Sequence, residues 1–253
     1  DFEIENLQNI KYDILLKIKR EDEAEKFLEQ NIKNSQLRRR AIQNEYEKKN
    51  FEKAAILAKD GVSVDMKSKP GLALEWYDWL LKIAKAQKDN IRIIEYARLL
   101  LIENFTREQD YYQILKNSIE PEKWVEFIEA IVSDISKQKR YPDINLIASI
   151  YIKEKWWERL FDLVKRSKSL YTIEQYEKHL TKNYAHEIAD LYSDGIKIYM
   201  ENNVGRKHYQ HVCNYIRKIK KLSTKEKSTQ IITYLKTKYP TRRALIEELS
   251  NVE

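Results

Sequence analysis

The sequence predicts an all-α fold of stacked antiparallel helix pairs, a tetratricopeptide-like or α-solenoid array, on three observations. Turn-forming residues are scarce, the hydrophobic periodicity is helical almost throughout, and one aromatic-turn-aromatic pattern recurs. Only four Gly and four Pro occur in 253 residues. Average usage gives roughly three to four times that many. β-Hairpins need Gly, Asn-Gly or Asp-Gly at positive φ, so a hairpin-rich fold is excluded. Lys, Glu, Leu, Ile and Ala dominate and favour helix.

The first 40 residues carry few aromatics, Phe2, Tyr12 and Phe27, and read as two or three helices of a capping type. Helix breaks are expected at Asn34-Ser35, 61–71, Lys88-Asp89-Asn90, Asn104-Phe105-Thr106, 118–121, Arg140-Tyr141-Pro142, 202–205 and Ser223-Thr224, where Gly, Pro, Asn and Ser gather. Pro121 suits a first helical turn, and Pro142 lies near the start of another. Thr181 has the chemistry of an N-cap.

Between the breaks, an aromatic-bearing helix, a short charged turn and a second apolar helix recur. Phe51, Ile91, Trp124, Trp157 and Tyr209 anchor the second helices, at spacings of 40, 33, 33 and 52. These bracket the 34 residues of tetratricopeptide repeats and the ~40–47 of HEAT-type repeats. Ala54, Ala55, Ala84 and Ala97 are small enough to let paired helices approach closely. One elongated domain over 1–253 is the expected organisation, its stacked pairs forming a continuous core.

The 42% hydrophobic content, with 17 Tyr and five Trp, excludes disorder. No run approaches the ~20 apolar residues of a membrane span, and no membrane partner is expected. The start, Asp1-Phe2-Glu3-Ile4, has no basic and apolar leader and no Met, as expected of a piece of a longer protein without a signal peptide. The single cysteine, Cys213, excludes an internal disulfide and a Cys-rich zinc site, and a cytoplasmic location is the simplest expectation.

No catalytic constellation emerges. Four scattered glycines build no phosphate loop, and no dinucleotide fingerprint, metalloprotease pair or nucleophile elbow is present. Paired acids, such as 21–23 and Glu247-Glu248, sit in mixed-charge faces expected to be solvated. His208 and His211 share a helical face near Cys213, a spacing open to metal ligation. The simpler reading is two surface histidines and a small core cysteine. His179 and His186 form no site. No cofactor is expected.

Two features point to partners. Trp76, Trp79, Trp156 and Trp157 are candidate groove aromatics, with repeat core as the plainer reading. Residues 205–253 hold twelve Lys or Arg and four Asp or Glu, a net +8 that leaves −1 for residues 1–204. In the helix starting near Arg206, Tyr209, Val212, Cys213, Ile216 and Ile219 form one face, and Lys207, Arg217, Lys218 and Lys221 lie opposite. With Arg206, Arg242 and Arg243, they form a cationic surface suited to phosphates or an acidic partner, and Tyr215, Tyr234 and Tyr239 are candidates for base stacking.

The segments Gly205-Arg206-Lys207-His208-Tyr209-Gln210-His211-Val212, Ile216-Arg217-Lys218-Ile219-Lys220-Lys221-Leu222 and the tail through Leu235-Lys236-Thr237-Lys238-Tyr239-Pro240 and Arg242-Arg243-Ala244-Leu245 resemble the C-terminal helical region of bacterial SWIM zinc-finger proteins. Stretches 151–164 and 184–199 are similar as well, so the resemblance covers roughly residues 145–250. It implies the helical part of a larger protein whose zinc module is absent here, and the family's zinc ligands map onto no residue of this chain. The expected function is a non-catalytic interaction scaffold for a protein or another domain of the same polypeptide. The alternative is nucleic-acid binding through the basic C-terminal helices.

Overall fold

The structure, a computed structural model, describes residues 2–103, 110–137, 143–223 and 225–252. It is 85% helical, with fourteen helices and no strand among the described residues. In order they are α1 (Phe2–Lys17), α2 (Glu21–Gln30), α3 (Ser35–Glu47), α4 (Phe51–Asp65), α5 (Pro70–Gln87), α6 (Asn90–Glu103), α7 (Tyr111–Ser118), α8 (Pro121–Lys137), α9 (Ile144–Lys153), α10 (Trp157–Ser167), α11 (Leu170–Asn202), α12 (Arg206–Leu222), α13 (Lys225–Lys238) and α14 (Arg243–Ser250).

Most expected breaks are helix ends with identifiable caps. Asn34 caps α3, its side chain accepting from the N–H of Gln36 and Leu37. Pro121 opens α8, and Gly205, at φ 121°, precedes α12. The breaks read at 104–106 and 140–142, and Thr224, lie outside the described residues.

Two readings need correction. The break read over 61–71 falls at 66–69, between α4 and α5, and its bound at Gly61 lies inside α4, where a Cβ would meet Trp76 Cδ1 at 2.8 Å. The glycine's missing side chain serves close packing. Thr181 caps nothing. It lies within α11 and donates to the Glu177 carbonyl at 2.7 Å. The irregularity falls at Tyr184 (φ −133°, ψ 29°), where non-helical backbone kinks α11 and joins two helical segments.

One turn recurs. Lys19, Lys49, Lys88 and Lys155 adopt the left-handed conformation, φ 56–60°, just after α1, α3, α5 and α9. In each, the next residue's N–H reaches the carbonyl five positions back: Arg20 to Leu15 at 2.9 Å, Asn50 to Glu45 at 2.8 Å, Asp89 to Ala84 at 3.0 Å, Trp156 to Tyr151 at 2.8 Å. This is the Schellman closure, usually made by Gly. It satisfies orphan carbonyls and restarts the chain as a helix within two residues.

The chain divides into two compact units, Asp1–Gln138 and Lys139–Glu253. In the first, helices consecutive from α1 to α7 pack on one another, and α8 packs on α6. Ala54, Ala84 and Ala97 are fully buried as read, whereas the Ile91 anchor is exposed. In the second unit, α12 is covered by α11, α13 and α14. Its core runs from Ala148 and Leu160 through Ile196 and Met200 to Ile216, Leu235 and Leu249.

Candidate functional site

Helix α12 is where sequence and structure converge. Tyr209, Val212, Cys213, Ile216 and Ile219 are buried, as the periodicity requires, and Tyr215 joins them. The opposite side presents Lys207, Gln210, Asn214, Arg217 and Lys221, all exposed, at 3-4-3-4 spacing. Such spacing keeps five side chains on one line along about four turns.

The cationic surface is narrower than the sequence implied, because several of its charges are engaged within the unit. Lys218 Nζ bridges Glu177 at 2.7 Å and Glu174 at 3.1 Å on α11. Arg206 pairs with Glu248 at 3.0 Å and with Glu247 on α14. Arg242 stacks over the Tyr239 ring at 4.0 Å and donates to the Met200 carbonyl at 3.1 Å. Lys227 pairs with Asp190, and Lys238 with Glu201. Lys207, Lys221 and Arg243 are exposed with no ion pair among the described residues, and Arg217 donates to Asn214 at 2.7 Å.

Tyr215 is not available for stacking on a base. Its ring is buried against Tyr192, and its hydroxyl donates to Glu174 at 3.0 Å. Tyr192 donates to Glu177 at 2.6 Å. Burial, reinforced by these acceptors, pushes both phenols well above their ordinary range. Burial also pushes the Glu174 carboxyl up, but hydrogen bonds from Lys218 and Tyr215 outweigh it and hold the group low. This network fastens α12 to α11.

Beside the stripe, a groove of about 300 Å³ is lined by Lys168, Tyr171, Glu174, Tyr199 and His211. Tyr171, 73% exposed, stands at its edge. Sequence reasoning missed Tyr171 and Tyr199, because only the packing of α11 on α12 brings them to His211. His208 shares a hydrogen bond with the Tyr199 hydroxyl at 2.7 Å. Cys213 is buried, its thiol pushed up to about 11 by desolvation. Among the described residues, no group of three or more His, Cys, Asp or Glu gathers closely enough to hold a metal ion.

The four tryptophans divide. Trp76 lines no groove: it is fully buried between α4 and α5, and its indole N–H donates to Asp65 at 2.8 Å. Trp79, Trp156 and Trp157 are half-buried. Lys82 covers the Trp79 ring at 4.5 Å, Arg159 covers Trp156 at 4.3 Å, and Trp157 packs on the core of its unit. In the first unit, a cavity of about 300 Å³ has Tyr12, Leu28, Ala41 and Leu57 on its walls. Its rim charges pair with one another, Lys48 with Glu25 and Lys53 with Glu29 and Glu45.

No helix among the described residues is long and apolar enough to cross a membrane. Compared with protein-family models, with curated proteins and with solved structures, the chain matches none.

Proposed function

We propose that the chain is a non-catalytic helical-repeat scaffold whose C-terminal unit receives an acidic segment of a partner protein, or of another domain of its own polypeptide, along the outer face of α12. One observation carries this reading: Lys207, Gln210, Asn214, Arg217 and Lys221 form an exposed, regularly spaced line with no acid in it. Cations and amides in such a line match a row of carboxylates by charge and by hydrogen bonding. The recurring turn at Lys19, Lys49, Lys88 and Lys155, and the packing of successive helices on each other, support stacked antiparallel pairs. The resemblance to the helical region of SWIM proteins fits an interaction module within a larger polypeptide.

The groove favours a second reading, single-stranded nucleic acid. Tyr171, Tyr199 and His211 bring aromatic rings to a groove that Lys168 also lines. The protein reading ranks first, because pairing within the unit leaves Lys207, Arg217, Lys221 and Arg243 as the predicted contacts still open to phosphates. Fluorescence-anisotropy titrations with a labelled acidic helical peptide and with single-stranded DNA and RNA, each at two salt concentrations, separate the readings. Binding of the peptide in preference to the oligonucleotides supports the scaffold. Preference for oligonucleotides, with a salt slope near that of about three to four phosphate contacts, supports the second. Binding of neither at low salt refutes both.

A further inference from the structure

Helix α1 has two apolar faces, and the fold covers one of them. Tyr12 and Leu15 are buried against α2 and α3. On the other side Ile4, Leu7, Ile10, Ile14 and Ile18 stand 47–65% exposed. Ile18 lies one residue past the helix end but continues its bonding, its N–H donating to the Ile14 carbonyl at 3.0 Å. A soluble surface usually scatters such residues singly, and a continuous apolar line marks an interaction face.

The line has a register. Residues 4, 7, 11, 14 and 18 fall on alternating 4- and 3-residue steps, the a and d positions of a heptad, and Ile10 flanks them at g. The a-position Lys11 turns aside, its Nζ 4.6 Å over the Phe27 ring. The other two g positions are Glu3 and Lys17, seven residues before and after Ile10. Both are exposed, and neither makes an ion pair among the described residues.

We propose that this face pairs with the same face of a second copy, α1 lying antiparallel to α1 about a two-fold axis at Ile10. Antiparallel coiled-coil packing sets g opposite g. Ile10 then meets Ile10, and Glu3 of each copy meets Lys17 of the other. The same register places Ile4 over Ile14. A parallel in-register pairing faces g with e and sets Glu3 opposite Gln8, so the match of Glu3 with Lys17 selects the antiparallel one. The strip is about 24 Å long, which places the interface at the small end of specific contacts. A weak dimer, dissociating at about micromolar concentration, is expected.

Analytical ultracentrifugation of the 253-residue chain from about 1 to 300 µM tests this, with helicity and urea unfolding as checks that each variant is folded. The expected result is concentration-dependent dimerisation, lost in Leu7→Glu/Ile14→Glu. Glu3→Lys and Lys17→Glu each weaken it severalfold by facing like charges. The Glu3→Lys/Lys17→Glu double variant restores it, because each swapped charge again meets its opposite. That rescue requires the antiparallel register. A chain monomeric at every concentration overturns the proposal, as does a dimer indifferent to Leu7→Glu/Ile14→Glu, or a double charge swap that fails to rescue.

Discussion

The left-handed lysines give a prediction worked from backbone geometry. An L-residue in the left-handed conformation costs about 1–2 kcal/mol, a penalty Gly does not have. Gly loses about 0.5–1 kcal/mol more chain entropy on folding. Lys19→Gly, Lys49→Gly, Lys88→Gly and Lys155→Gly should therefore each stabilise, by about 0.5–1 kcal/mol. All four side chains are exposed. Because the sites are separate, effects should add. The triple variant at Lys19, Lys49 and Lys88, all in the first unit, should gain about 1.5–3 kcal/mol. Urea unfolding followed by circular dichroism measures this as a higher midpoint at unchanged slope. Lys85→Gly, inside α5 three residues before Lys88, is the control and should lose about 1 kcal/mol. If Lys88→Gly loses stability as Lys85→Gly does, the residue is not left-handed and the shared turn is refuted.

Gly61→Ala should destabilise the first unit by about 1–3 kcal/mol in the same assay, since the new Cβ meets the buried Trp76 ring and Arg38 Nη1, both at 2.8 Å. Lys218→Met should cost the second unit about 1–2 kcal/mol, between the values for exposed and fully buried pairs, because Glu177 and Glu174 lose their half-buried cation. The Glu174 carboxyl is held low in the fold, so its contribution is present above the ordinary carboxylate range and lost as pH falls through the depressed value. Urea midpoints should decline on acidification, and less steeply in Lys218→Met. Cys213 should resist alkylation by iodoacetamide at about pH 8 until urea unfolds the chain, its thiol being buried and pushed up to about 11. Reaction in the native state refutes that burial.

Local chemistry was legible in the sequence, and long-range pairing was not. The amphipathic pattern of α12 identified its buried face, and the charged turn at Lys88-Asp89-Asn90 marked a helix junction, though not the conformation it shares with three others. Gly61 was read as the edge of a break because glycine usually ends helices, and the ring that makes it necessary, Trp76, belongs to α5. Thr181 read as a cap because a threonine hydroxyl suits both a cap and a bond back to the preceding turn. The cationic surface was overestimated because the acids that engage it are far along the chain: Lys218 and Glu177 are 41 residues apart, Arg206 and Glu248 are 42 apart. Tyr215 was read as a base-stacking candidate, whereas its position on the α12 wheel faces α11.

Charge reversal on α12 tests the functional account most directly. Lys207→Glu/Arg217→Glu/Lys221→Glu alters three exposed side chains and leaves the Lys218 and Arg206 pairs intact. Anisotropy titration of the labelled acidic peptide should show affinity for the parent chain falling with salt, and at least a tenfold loss in the folded triple variant at low salt. Equal affinity of variant and parent would show that the outer face of α12 is not the binding surface.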